Sequence, residues 1–354
     1  MLLSAFRNSL RVMGKTNEKK DNVILLTTGL SGSSHAKSHY GNRADGWWEK
    51  FIGPGLPLDT NKFHIICTNV IGGVMAQQGL LQSTHTHQKK LANPLGYGRA
   101  QFRLMDHLGI QRLHAVVGSS MGGMQSLAAA SLFPERVNRV ISISAAARSH
   151  PYSIALRHAQ RQVLMSDPNW MGGMYYEHGL ARQIGTITYR SGPEWEMRFG
   201  RKRSNPSLKP SLKTDFMIES YLEHQAMDMF DMTDRPSFDP NDISSSSLSE
   251  TGYDEKYSLI TTYPVPCGRN ATIQSTLVIG VKSDFLIPSW QQQEIATCLK
   301  DAGNKMVTHF EIDGVYGHDT FLLDFSNVGS AVKGHLEIPT MVQPETTKSV
   351  PKPL

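Results

Sequence analysis

Cysteine is scarce: Cys67, Cys267 and Cys298 are the only three in 354 residues, too few and too scattered for a disulfide framework or a thiolate zinc site. A reducing compartment, the cytoplasm, is the natural expectation. No apolar run reaches the ~20 residues that a helix needs to cross a bilayer, so a soluble chain with no membrane partner is expected. Charged residues make up only 19% of the chain, and the basic ones gather only in short clusters such as Arg201-Lys202-Arg203 despite a net charge of +5. Without a basic stripe there is no nucleic-acid footprint, although this charge does not repel an anionic small molecule. Acids are missing from the opening MLLSAFRNSLRVMGK, whose Arg and Ser also fit a mitochondrial targeting segment.

What is present is a rhythm. NVILLT (22–27), FHIICTN (63–69), LHAVVG (113–118), VNRVISIS (137–144), STLVIGV (275–281) and VTHFEID (307–313) are short β-branched runs. Between them lie helical patterns such as RAQFRLMDHLG (99–109), MQSLAAASLFP (124–134) and WQQQEIATCLKDAG (290–303). Strands alternating with helices imply an α/β fold with a parallel sheet covered on both faces. From about Arg148 to Asn270 the rhythm breaks into Met- and aromatic-rich helical stretches and then a Ser-rich acidic loop, DPNDISSSSLSETGYDE. The division expected is a core of residues 1–147 and 270–330, a helical cap inserted at 148–269, and a disordered tail at 331–354. A ligand is expected at the junction of core and cap.

Gly118-Ser119-Ser120-Met121-Gly122 matches G-x-S-x-G, with a strand before it and a helix after it. Only Ser120 has glycine two positions before and two after, which makes it the nucleophile candidate and Ser119 a small filler. A serine hydroxyl needs a base, itself oriented by a carboxylate. On sheets that carry this motif the partners follow in the order Ser, Asp or Glu, His. Asp284 stands just past STLVIGV and His318 just past VTHFEID, in that order. Asp313 and Asp319 are rival acids, both very close to His318 in sequence. An oxyanion needs two donors, expected from the backbone N–H of Met121 and that of Leu30 in TTGLSGSSH.

GLSGSSHA, DGWWEKFIGPGLPLDT, FHIICTNVIGG, VVGSSMGGMQ, ITYRSGPEWEMRFGR, LVIGVKSDFLIPSWQQQEIA and EIDGVYGHDTFLLD, in this order over most of residues 22–325, resemble the homoserine O-acetyltransferase family. The resemblance implies an α/β-hydrolase fold with an inserted helical cap and a ping-pong acyltransferase that binds no cofactor or metal. Acetyl-CoA is the implied co-substrate and L-homoserine the acceptor. Ser120 would carry the acyl group, His318 would act as base and then acid, and Asp284 would orient it. Arg182 would pair with the substrate carboxylate, Tyr189 and Asp319 would line the amino-acid pocket, and a homodimer through the cap would be possible. Serine as acceptor, succinyl-CoA as donor, a serine hydrolase of the same fold, and a defective gene product remain as alternatives.

The resemblance lapses at residues 74–98, where VMAQQGLLQSTHTHQKKLANPLGYG replaces the family's C-x-G-S-T-G-P-S-S run. Back-translating Val74 to His87 and shifting the frame by two nucleotides restores that run almost intact, so a frame error or misplaced exon boundary is expected there. Sequence also looks missing after Gly179 and between Gln225 and Ala226.

Overall fold

The computed structural model describes residues 10–30, 32–69, 94–166, 179–209, 215–227 and 274–339. Seven strands form one sheet in the order β1 (Leu10–Met13), β5 (His64–Thr68), β2 (Val23–Thr27), β6 (Ala115–Ser119), β7 (Arg139–Ile143), β8 (Ser275–Val281) and β9 (Val307–Ile312). Only β1 runs antiparallel to its neighbour; every other pairing is parallel. β3 (Ile52–Gly53) and β4 (Leu58–Asp59) make a separate two-stranded ladder.

Alternation within the central strands sorts their side chains to two faces. Val23 and Leu25 join Val116, Val140 and Val278 on one side. There they pack on Phe102 and Met105 of α1 (Pro94–His107), Leu127 of α2 (Met121–Leu132), and Ile295 and Leu299 of α7 (Ser289–Asp301). Ile24 and Leu26 join Val117, Ile141 and Ile279 on the other, under Trp48, Phe51 and the residues Val328, Val332 and Leu336 of α8 (Phe325–Glu337). Every residue of β2, β6 and β7 is buried. Continuous apolar runs are therefore what a strand covered on both sides requires.

The last helix corrects the expected tail boundary at 331. Val328, Val332 and Leu336 recur every four residues, and this apolar stripe carries the helix to Glu337 before the Pro- and Thr-rich composition begins. β1 also lies where no strand was expected, because four residues with two exposed positions carry little hydrophobic signal. Between β7 and β8 the described residues form α3 (Pro151–Ser166), α4 (Gly179–Tyr189), α5 (Gly192–Arg198) and α6 (Met217–Met227), with an isolated bridge from Arg203 to Phe216. The Ser-rich loop, residues 74–93 and the tail beyond 339 lie outside the described residues. Among the described residues no helix is long and apolar enough to cross a membrane.

The chain leaves β2 for β5 on one side and returns to β6 on the other. Such a switch in direction opens a crevice at the carboxyl ends of the two strands. The loops after β2 and β6 meet there.

Candidate active site

β6 ends at Ser119 and α2 begins at Met121, so Ser120 alone makes the turn from strand to helix. Its backbone sits at φ 55°, ψ −124°, a conformation that costs a residue with a side chain about 1–3 kcal/mol. The turn is held from both directions: Ser120 N–H donates to Ile143 O of β7 at 2.8 Å, and Met124 N–H donates to Ser120 O at 3.2 Å. The flanking glycines serve close approach rather than the turn itself, since neither has a positive φ. A Cβ on Gly118 would lie 2.2 Å from Gly122 O and from Thr27 Oγ1, and one on Gly122 would lie 2.3 Å from Thr27 O. Strand β2, strand β6 and helix α2 converge there with no room for a methyl group.

His318 arrives from the far edge of the sheet, in a helical turn (Gly317–Asp319) after β9. Gly317 at φ 64° lets that turn press on the end of α4, where a Cβ would meet Ser191 N and Tyr189 O at 2.8 Å. Thr320 Oγ1 donates to Gly317 O at 2.7 Å, Gly317 N–H donates to Ser283 Oγ at 3.1 Å, and Trp48 Nε1–H donates to Phe321 O at 2.9 Å. These bonds fix the imidazole against the nucleophile candidate. His318 Nε2 lies 2.9 Å from Ser120 Oγ, and Nδ1 lies 2.6 Å from Asp284 Oδ2. The second oxygen of Asp284 accepts Ile287 N–H at 2.8 Å. All three side chains are buried.

Burial acts against a charged imidazole and is the largest single influence on His318. The charge and hydrogen bond of Asp284, aided by Asp319 and opposed by Arg157, outweigh it and raise the pKa above its ordinary value. The ring is therefore a stronger base than a free histidine. Asp313, the first rival acid, points away, 3.2 Å from Lys282 Nζ and largely exposed. Asp319, the second, lies 3.7 Å from Arg190 Nη2. Arg190 also pairs with Glu194, a buried carboxylate at the start of α5.

Leu30 packs with Met121 and Tyr97, and a methyl on Gly29 would stand 3.7 Å from Ser120 Cβ. The start of α2 and the loop after β2, from which the oxyanion donors are expected, thus flank the serine. Tyr189, the last residue of α4, sets its ring 6.5 Å from that of His318, tilted by 29°. Arg182 belongs to the same helix two turns earlier, but its side chain lies outside the described residues. Ser283 and Trp48 were not singled out by sequence. A buried tryptophan N–H must find an acceptor, so the DGWW run carried a signal, but not the identity of the acceptor.

A serine hydroxyl hydrogen-bonded to an imidazole that is oriented by a carboxylate can accept an acyl group and pass it on. A family profile described as the alpha/beta hydrolase fold matches residues 22–325. A serine O-succinyltransferase of Emericella nidulans is 47% identical over 95% of this chain and 78% of its own length. A homoserine O-acetyltransferase of Moorella thermoacetica is 35% identical over 92% of this chain and 88% of its own. The chain belongs to the homoserine O-acetyltransferase family of α/β-hydrolase-fold acyltransferases. Among solved structures, homoserine O-acetyltransferase from Bacillus anthracis superposes on this acyltransferase with a TM-score of 0.79 at 22% identity, covering 94% of this chain and 92% of that one. The alignment with the E. nidulans relative spans 404 positions against 354 residues here, so that relative carries internal segments which this chain lacks.

Proposed function

We propose that this enzyme transfers a succinyl group from succinyl-CoA to the side-chain hydroxyl of L-serine through an acyl-Ser120 intermediate. The observation that carries acyl transfer is the continuous relay from Ser120 Oγ through His318 to Asp284, at 2.9 and 2.6 Å. The choice of serine and succinyl rests on the relatives of that name, at 47% identity in E. nidulans and 42% in Schizosaccharomyces pombe. The second reading, acetyl-CoA with L-homoserine, is supported by the M. thermoacetica relative at 35%.

In the first half-reaction Ser120 Oγ attacks the thioester carbonyl carbon and its proton passes to His318 Nε2. The carbonyl π pair moves to oxygen, where the N–H groups of Met121 and Leu30 receive the charge. Collapse breaks the C–S bond, and the thiolate takes the proton from His318. In the second half-reaction the acceptor hydroxyl gives its proton to His318 Nε2 and attacks the acyl carbon. Ser120 leaves and recovers the proton. Asp284 holds the ring with Nε2 toward Ser120 and stabilises the imidazolium formed twice per cycle. Arg182 takes the acceptor carboxylate, and Tyr189 and Asp319 line the acceptor pocket, with Asp319 toward the ammonium. Water is the rival acceptor, and a filled, dry pocket suppresses it.

The test is thiol release from succinyl-CoA or acetyl-CoA, with L-serine, L-homoserine or no acceptor. Fastest release with succinyl-CoA and serine supports the proposal, while acetyl-CoA with homoserine as the preferred pair would select the second reading. Serine and homoserine differ by one methylene, so a preference of about 10–200-fold is expected. Release that ignores the acceptor would identify a hydrolase. Ser120→Ala is expected to lower kcat by about 10⁴-fold or more, and turnover persisting in it would overturn the acyl-Ser120 intermediate.

A further inference from the structure

The two amides assigned to the oxyanion belong to different elements, Met121 to the start of α2 and Leu30 to the loop after β2. A tetrahedral oxyanion accepts both bonds only if these elements keep a fixed separation, because donors must lie about 2.7–3.1 Å from it. At the end of β2 itself, Thr27 Oγ1 reaches Gly122 O at 2.8 Å and Ser126 Oγ at 3.2 Å, and a further side chain of α2 reaches past the strand to the loop. Gln125 stands one helical turn after Met121, fully buried, and its Nε2 donates to Thr28 O at 3.1 Å, two residues before Leu30. Its Oε1 accepts Gln101 Nε2 at 2.9 Å, and the same Gln101 nitrogen donates to Thr68 Oγ1 at 3.1 Å. With the oxygen occupied by Gln101, the Gln125 amide is left to point its N–H group at the β2 loop.

An apolar side chain of the same length would fill this space without burying an amide. It would, however, leave the Thr28 backbone carbonyl without the donor that fixes its direction, a cost of about 1–3 kcal/mol that comes from the hydrogen bond and not from the volume of the side chain. A chain of buried amides is costly where any member is unsatisfied, and Gln101 Oε1 has no partner among the described residues. Packing is therefore a weak reason for a glutamine here. Orientation of the Thr28–Gly29 peptide is a better one, since turning it would swing the next peptide, which carries the Leu30 N–H.

We propose that Gln125 is a positioning residue: bonded to the Thr28 carbonyl, it locks the β2 loop to the nucleophile helix and sets the spacing of the Met121 and Leu30 oxyanion donors. This rests on acyl transfer through Ser120. Q125M and Q101M are compared with the wild type by the burst of thiol release, which counts active sites. The second readout is inhibition by an alkylboronic acid, whose boron bonds to Ser120 Oγ as a tetrahedral anion while the hydroxyl proton passes to His318. Losing one donor outright lowers kcat by 10²–10³ in a serine enzyme. Loss of its alignment in Q125M is expected to lower kcat per active site by about 10–100-fold and to raise the boronate Ki by a similar factor. The KM for the thioester should stay within about two-fold, and Q101M should show the same pattern at about a third to a tenth of the size.

A merely structural role would reduce the number of active sites and leave kcat per site and the boronate Ki unchanged, which would overturn the proposal. If Q125M does not fold, the same constants in Q101M decide. A burst surviving in S120A would overturn the acyl-Ser120 intermediate and this inference together. A burst lost in S120A, beside unchanged constants in Q125M, would overturn this inference alone.

Discussion

Buried histidines stand at both ends of the central sheet, and they are tuned in opposite directions. At the carboxyl ends of the strands His318 faces Asp284, and its pKa is raised. At the amino ends His114, half-buried just before β6, and His335, buried on α8, stand near Arg139. Their rings bond to backbone carbonyls, His114 Nε2 to Leu336 O at 3.0 Å and His335 Nε2 to Ser275 O at 3.2 Å. Burial lowers both pKa values, Arg139 lowers them further, and a carbonyl hydrogen bond is not enough to compensate. Burial alone turns histidine into a neutral packing group; a buried carboxylate turns it into a base. The two ends of one sheet thereby separate a structural use of histidine from a chemical one.

Asp284→Asn should erase that difference and have the largest effect. An amide cannot supply the charge that overcomes burial, and it leaves the ring free to present the wrong tautomer. A fall in kcat of about 10³–10⁴-fold is expected. Its pH signature is separate from its size. The neutral ring is the active form, so wild-type kcat/KM should rise with pH through a midpoint above 6.5, the ordinary value from which His318 is raised. In the variant that midpoint should drop below 6.5, because burial then outweighs Asp319. Imidazole NMR titration reads the same change without turnover. An unchanged His318 midpoint would refute Asp284 as the source of its basicity.

The amino end is tested through stability, with a smaller effect. His114 and His335 have folded pKa values below the ordinary 6.5. The unfolded chain therefore takes protons that the folded one refuses, so their contribution is present above pH 6.5 and is lost as pH falls through the folded values. His318 has the opposite sign: its contribution is complete below 6.5 and is lost as pH rises through its raised value. Glu49 lies outside this window. Burial opposes its charge, but Lys37, Ser38 and the Ser38 and Gly46 amides bring its pKa to about 2 from 4.5, so its loss begins only below pH 4.5. Urea unfolding between pH 7.5 and 5 should show wild-type stability declining and His335→Asn declining less. Each tenfold difference in proton affinity between the folded and unfolded ring is worth about 1.4 kcal/mol, and the variant loses that dependence. Equal slopes would mean that His335 is not held neutral by the fold.

The sequence revealed the carboxyl end of the sheet better than the amino end, for a physical reason. Ser120, Asp284 and His318 each follow a strand, in the one order this topology permits, so local pattern and chain order suffice to name them. The central strands were legible because burial on both faces demands unbroken β-branched runs. What was not legible depends on contacts between distant segments. β1 has meaning only as the antiparallel partner of β5. The pairing of Asp319 with Arg190, the bridge from Gln125 to Thr28, and the bond from Trp48 to Phe321 join residues that no periodicity connects. The helix past residue 331 was hidden by composition, since three apolar residues spaced four apart hold it on the sheet among small and polar neighbours.

The smallest expected effect comes from the adjacent serine, and it sharpens the contrast at the closest range. Ser119 and Ser120 are neighbours with the same hydroxyl, yet Ser119 is the last residue of β6, 1% exposed, and its buried Oγ has no hydrogen-bond partner among the described residues. Ser120 Oγ is the one that His318 Nε2 reaches, at 2.9 Å. An unpartnered buried hydroxyl opposes folding by about 1–3 kcal/mol relative to a satisfied one. Ser119→Ala removes that penalty along with a small amount of packing, so its unfolding free energy should stay level or rise by up to about 1 kcal/mol. Its kcat should remain within about two-fold, because Ser120 keeps its backbone bonds to Ile143 and Met124. A ten-fold loss of kcat in a stably folded Ser119→Ala enzyme would give the unpartnered hydroxyl a part in the chemistry and break the assignment of one serine to the turn's packing and the other to the acyl group.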